Sequence, residues 1–360
     1  MGSRRPFPPH HSGAGDRPHA RHGVHGGTAM KLSRLWGPPA IVVVVFLVMM
    51  LLGGMRPSLH TTMFTIGLYA LIALPLGLMY GQGGTISLAQ GAFAALGAYT
   101  SAILSTRYGM SPMISVFASI AIPALLAFLI ARPILRLPEL SLALVTLSLG
   151  TVVAVGLQRG GDFTGSFVGI SGAPALPIVG KDPVLVSTAL WAVVLLVVIL
   201  YSHFVQSVRG RALNAARVDR LLAQSVGVNV PMDLSIMFAV AAGIAGLAGW
   251  FYIHFLGYIA PDSLGPEVSA QILFMVVLGG RRAVLGPILG AAFFTFANDF
   301  LPGTQTHGLF FGTLLILILI LLPDGILSPQ ALAAVRRWVG MGPRPPAPTE
   351  AATGATKVTS

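Results

Sequence analysis

No cysteine occurs in this 360-residue chain, which excludes disulfide scaffolds, thiolate nucleophiles and cysteine-ligated metals. Charge is almost as scarce. Only 9% of the residues are Asp, Glu, Lys or Arg while 54% are hydrophobic, and the mean hydropathy is +0.81, too apolar for a water-soluble domain of this length. All eleven acidic residues fall in tails, loops or span ends, so no span has the central carboxylate that usually binds a coupling proton or sodium ion. Also missing are Gly-x4-Gly-Lys-[Ser/Thr], His-Glu-x2-His and Gly-x-Ser-x-Gly. The chain therefore reads as a non-enzyme, with no catalytic residues, metal, cofactor or nucleotide-binding motif, and any energy source sits on another chain. The net charge of +11 does not indicate nucleic acid, because the basic residues lie between apolar runs without an aromatic platform.

What is present is a series of apolar runs. About ten are counted, near 38–55, 62–80, 86–105, 112–131, 140–158, 184–205, 234–258, 267–280, 284–301 and 308–323, against the roughly 20 residues that a spanning helix needs. The pattern predicts an all-α integral membrane protein with about ten transmembrane or half-spanning helices, the shortest being re-entrant. With the N-terminus inside, alternate loops carry 18 Lys and Arg on the inner side and 4 (Arg56, Arg107, Arg159, Lys181) on the outer. That asymmetry puts both termini in the cytoplasm. Residues 1–33, rich in Gly and Pro with irregularly spaced His10, His11, His19, His22 and His25, read as a disordered basic tail. The membrane domain covers 34–327, its first span retained rather than cleaved, and 328–360 form a C-terminal cytoplasmic tail.

The stretch 207–231 interrupts this apolar sequence with four arginines on the inner side. Its spacing predicts one helix over Arg211 to Val226, about 24 Å long, with Leu213, Ala216 and Leu221 toward one side. Gly227 reads as its stop, and Pro231 as the barrier before the next span. An interfacial helix meeting anionic lipid and a docking surface for a partner both fit. His203 and His254, near span ends, read as interfacial or packed.

The run Gly210-Arg211-Ala212-Leu213-x-Ala215-Ala216-Arg217-x-Asp219-x3-Ala223-x3-Gly227-Val228-Asn229-Val230 resembles the coupling loop of ATP-binding-cassette importer permeases, in particular the branched-chain amino-acid permease family. The likeness extends over most of 60–327. It includes Gly81 to Ser101, where Ser87, Gln90, Gly91, Ala94, Gly97, Ala98 and Ser101 set small and polar groups on one helix face. It also includes Thr164-Gly165-x3-Gly169-Ile170-x-Gly172, Ala245-Gly246-Leu247-Ala248-Gly249, and Gly279-Gly280 with Leu285 to Ala291. Leu221 and Leu222 stand where the family usually has acidic or polar residues, Pro231-Met232-Asp233 where it has a Lys, and Arg281-Arg282-Ala283 where it has a small Gly-Ser core.

The resemblance implies the permease subunit of an ATP-driven importer in the bacterial cytoplasmic membrane, moving branched-chain or other hydrophobic amino acids by alternating access. Urea or short amides are a family variant, and a passive channel or facilitator is the rival class. Gly210, Arg211, Ala215, Ala216, Arg217, Asp219 and Gly227 would form the ATPase-coupling site, and Ser87, Gln90 and Tyr99 would line the translocation pathway. The implied partners are cytoplasmic ATP-binding subunits, a second homologous permease and an extracytoplasmic solute-binding protein; the outer loop with Asp162 and Lys181 reads either as a solvated linker or as a contact for that protein. Membrane lipid surrounds the spans.

Overall fold

The computed structural model describes residues 37–47, 58–177, 180, 182–300, 313 and 325–327. Both predicted tails, Arg56, Lys181 and, apart from Thr313, the apolar run 308–323 lie outside the described residues. Helix α1 covers Gly37–Leu47. It is followed by α2 (Ser58–Leu78), α3 (Gln90–Thr106), α4 (Pro112–Ile134), α5 (Glu139–Arg159), α6 (Pro183–Gln206), α7 (Val208–Val218), α8 (Arg220–Ser225), α9 (Val230–Leu256), α10 (Pro266–Gly279) and α11 (Gly286–Phe300). One short antiparallel pair, β1 (Ile170–Ser171) with β2 (Tyr258–Ile259), interrupts the helices.

Five of these helices are long and apolar enough to cross a membrane: α2 with its continuation to Gly83, α4, α5, α6 and α9. Helices α3, α10 and α11, with 17, 14 and 15 residues, are shorter than a full span. Helix starts are locally encoded. Ser111, Asp182 and Asn229 accept hydrogen bonds from the backbone N–H of Met113, Val184 and Met232, and each is followed by a proline in the first helical turn, where its missing N–H costs nothing. Pro231 therefore opens α9 rather than barring it, and that span begins at Val230, not 234.

Helices α2 and α9 form the centre. Their apolar windows are 78% and 67% buried, against 22% and 28% for α4 and α5, whose remaining faces are left for lipid or a partner. Glycine lets the backbones cross closely. A Cβ on Gly97 of α3 would stand 2.4 Å from the Gly246 Cα of α9, one on Gly246 would stand 2.1 Å from the Ser119 carbonyl of α4, and one on Gly249 1.9 Å from the Ala94 carbonyl of α3. In lipid, where the hydrophobic effect does not pull helices together, such close backbone approach supplies the packing. The Ala245 to Gly249 motif and Gly97 are thus two halves of one crossing.

Contacts between loops sort the arginines by end. Arg220 donates to the Leu135 carbonyl, Arg132 to Met232 Sδ and Arg281 to the Tyr80 hydroxyl, and these join at one end the loops assigned inside. At the other end, Arg107 lies 5.7 Å from the Phe163 ring centroid and Gln158 donates to Asp262.

Candidate functional site

The predicted single helix at 211–226 is two helices. Asp219 is extended (φ −144°, ψ 106°), closing α7 and capping α8 by accepting from the Leu222 N–H at 3.0 Å. An Asp side chain that satisfies the next helix start competes with continuing the previous helix, and this breaks the segment. The break also redirects the apolar side chains. Leu213 and Ala216 are buried, whereas Leu221 is 79% exposed, correcting its expected place beside them. Val218, Leu222 and Val226 are exposed as well. Gly227 ends α8 at φ +88°, a left-handed conformation that glycine adopts freely, and Asn229 then caps α9.

Each coupling candidate has a place. Gly210 is buried because a Cβ there would stand 2.1 Å from the Phe204 carbonyl, so α7 folds back tightly on the end of α6. Arg211 donates to the Gln206 carbonyl across that turn. Ala215, Asp219 and Gly227 are exposed, whereas Ala216 faces into the protein. Arg217 lays its stem on Gly84, where a Cβ would come within 2.6 Å of Arg217 Cγ.

That contact reaches the end of α2, where the helix changes form. Helix α2 ends in a π-helical turn, Met79–Gly83, closed by Gly84 at φ +61°. Its other side is held by the α10–α11 connection: Arg281 donates to the Tyr80 hydroxyl at 2.8 Å, its guanidinium lies 5.0 Å from the ring centroid, and a Cβ on Gly81 would stand 2.2 Å from the Arg281 carbonyl. The Arg281 that departs from the family's small core thus clasps the π-turn. Such turns are enriched at functional positions.

Residues 84–89 are not helical, so the predicted span 86–105 starts only at Gln90, and Ser87 precedes α3 instead of sharing its face. Buried irregular backbone needs partners. Here the Leu88 N–H donates to Thr146 Oγ1 of α5 and the Gly91 N–H to Ser269 Oγ of α10, both at 2.9 Å. The beginning of α3 is therefore held by side chains of two other helices. Ser87, Gln90 and Tyr99 are all fully buried. Neither amide atom of Gln90, nor the Tyr99 hydroxyl, has a hydrogen-bond partner among the described residues. An unpaired buried amide costs about 1–3 kcal/mol, which makes Gln90 an unfavourable choice for packing alone.

At the opposite end, His254 ties three elements together. Its Nδ1 is 2.7 Å from the Pro174 carbonyl and its Nε2 2.7 Å from Ser101 Oγ, which is itself 2.7 Å from Ser115 Oγ. A carbonyl only accepts, so Nδ1 donates to Pro174, and in the neutral tautomer this leaves Nε2 to accept from Ser101. This agrees with reading His254 as packed; a histidine near a span end was its sole sequence signal. His203 is exposed and bonds the Ile199 carbonyl one turn back. Asp162 is exposed in the loop after α5, beside exposed Phe163, Phe167 and Val168.

Residues 58–319 match the family described as the permease component of the branched-chain amino acid transport system. The chain is 29% identical over 287 residues to the high-affinity branched-chain amino acid transport system permease protein LivM of Salmonella typhimurium, covering 72% of this chain and 68% of that protein. It is 25% identical over 285 residues to LivH of Escherichia coli, covering 72% and 91%. It is also 27% identical over 218 residues to the fructose import permease protein FrcC of Rhizobium meliloti, covering 57% and 60%. No solved structure matches.

Proposed function

Because the chain belongs to the family of branched-chain amino acid transport system permease components, we propose that it is the membrane subunit of an ATP-driven importer for branched-chain or other hydrophobic amino acids. The relatives LivM and LivH are named as permease proteins of high-affinity branched-chain amino acid transport systems. Helices α7 and α8 are the place where the ATPase subunits press. They expose Val218, Leu221, Leu222 and Val226 together with Arg211 and Arg220, an apolar surface accompanied by cations. Such a composition suits a protein partner, with Leu221 and Leu222 replacing polar contacts by apolar ones.

The single observation that carries the mechanism is the contact of Arg217 with Gly84. A shift of α7 reaches the π-turn directly, and the turn leads through six non-helical residues to Gln90. This stretch lacks a helical ladder and can rotate the start of α3 without breaking one. Two arrangements of that start, one burying Gln90 and one presenting it, are the local form of alternating access. The partly exposed α5, with Ser148, Thr151 and Gly156 on its outer side, faces the second permease subunit. Phe163, Phe167 and Val168 at the other end receive the solute-binding protein.

The test is reconstitution into proteoliposomes of the chain alone and of the chain with its ATPase, second permease and binding protein. Leucine uptake only by the complete set with ATP is the expected result. Uptake by the chain alone, without ATP, would make it a facilitator. A screen of the binding protein against leucine, isoleucine, valine, urea and fructose settles the substrate.

A further inference from the structure

A cavity of about 300 Å³ lies between α2, α6, α7 and α9. Its walls are apolar apart from the Tyr201 hydroxyl and two charged residues, Arg209 at the start of α7 and Asp233 in the first turn of α9. These side chains have opposite charge and line the same space, yet no ion pair joins them among the described residues. Two unlike charges left apart at the rim of an apolar cavity fit a ligand that carries both signs itself.

The shape narrows the ligand further. From Asp233 to Ile244 the cavity follows twelve residues of α9, eleven helical steps or about 16 Å. That is close to one leaflet of a bilayer whose hydrocarbon core is about 30 Å thick. Its wall residues Leu200, Ile236 and Val240 are 58%, 38% and 53% exposed, so the cavity opens sideways between α6 and α9. The charged rim lies at the end that the Lys and Arg count assigns to the cytoplasm.

We propose that this groove is a binding site for one phospholipid of the inner leaflet, with an acyl chain between α6 and α9 and a headgroup bearing both a phosphate and a primary amine. Arg209 takes the phosphate and Asp233 the ammonium. A free amino acid carries the same two charges but is too short to cover the apolar wall. Because Arg209 and Leu213 of α7 form part of the site, a seated lipid braces α7 against α6 and α9. That consequence for coupling rests on the proposed function, whereas the binding itself does not.

The experiment is native mass spectrometry of the purified full chain in detergent, titrated with phosphatidylethanolamine and phosphatidylglycerol of matched acyl chains. Retention of phosphatidylethanolamine about fivefold above phosphatidylglycerol is expected, the worth of one charge contact near the membrane surface. Asp233→Asn should abolish that preference. Arg209→Gln should weaken both lipids about equally, and Val240→Phe, at an exposed wall position, should expel the tightly held molecule. An unchanged preference in Asp233→Asn, no preference in the parent chain, or a tight lipid surviving Val240→Phe would each overturn the proposal. So would displacement of the lipid by free leucine, which would assign the groove to an amino acid. Since none of these readings needs ATP, a failure here is distinct from a failure of the importer reading.

Discussion

Replacing Gly84 by alanine tests the link between the coupling segment and the broken helix. Gly84 has φ +61°, and a left-handed alanine costs roughly 1–2 kcal/mol. Its Cβ would stand 2.6 Å from Arg217 Cγ against 3.4 Å for ordinary contact, so the arginine stem has to retreat by about 0.8 Å. Overpacking of that kind adds about 1–3 kcal/mol. The two effects separate in a double-mutant cycle, because Arg217→Ala removes the colliding Cγ and leaves only the backbone strain. Gly84→Ala should therefore be less destabilising by about 1–3 kcal/mol in the Arg217→Ala background than alone. Unfolding of the detergent-solubilised chain by increasing SDS, followed by the fluorescence of buried Trp191 and Trp250, reads each corner of the cycle. Costs that add to within about 0.5 kcal/mol would refute the contact and the route built on it.

Gln90→Leu should raise stability, by removing an unpaired buried amide worth about 1–3 kcal/mol, while lowering ATP-driven uptake; loss of stability with uptake intact would mark Gln90 as a packing residue. Asp219→Ala should cost about 1 kcal/mol by uncapping α8 and should reduce ATPase stimulation in the assembled complex more than it reduces membrane insertion. Gly246→Val should prevent α9 from seating against α3 and α4, visible as a large drop in thermal stability in detergent, because the opposing atoms are backbone and cannot rotate away. His254→Ala should loosen the loop at Pro174, giving faster proteolysis there with little change at α7.

Much of the site is local in origin and therefore readable from the chain. The Gly227 stop follows from neighbouring residues, as do the small-residue motif at 245–249 and the cap signals Ser111-Pro112 and Asp182-Pro183. The two errors in the coupling segment had local signals as well. Asp219 preceded a helix-forming run, as a cap does, and Asn229 preceded Pro231. Helical periodicity outweighed them, because a spacing pattern continues smoothly through a cap residue.

By itself the sequence determined that the chain lives in a membrane, since apolar runs of that length have no other solvent, and the distribution of Lys and Arg between loops is likewise written in one dimension. Tertiary structure alone decided which side chains meet. Arg281 clasps Tyr80 across 201 positions, Ser269 holds the start of α3 from 178 positions away, and Arg217 rests on Gly84. It also decided that Gln90 has no partner among the described residues and that four helices leave a groove with Arg209 and Asp233 at its rim. The physical reason is the same in each case. Helix formation and membrane insertion depend on residues within a few turns, whereas a hydrogen bond, a close glycine crossing or a cavity depends on how separate helices fit in space.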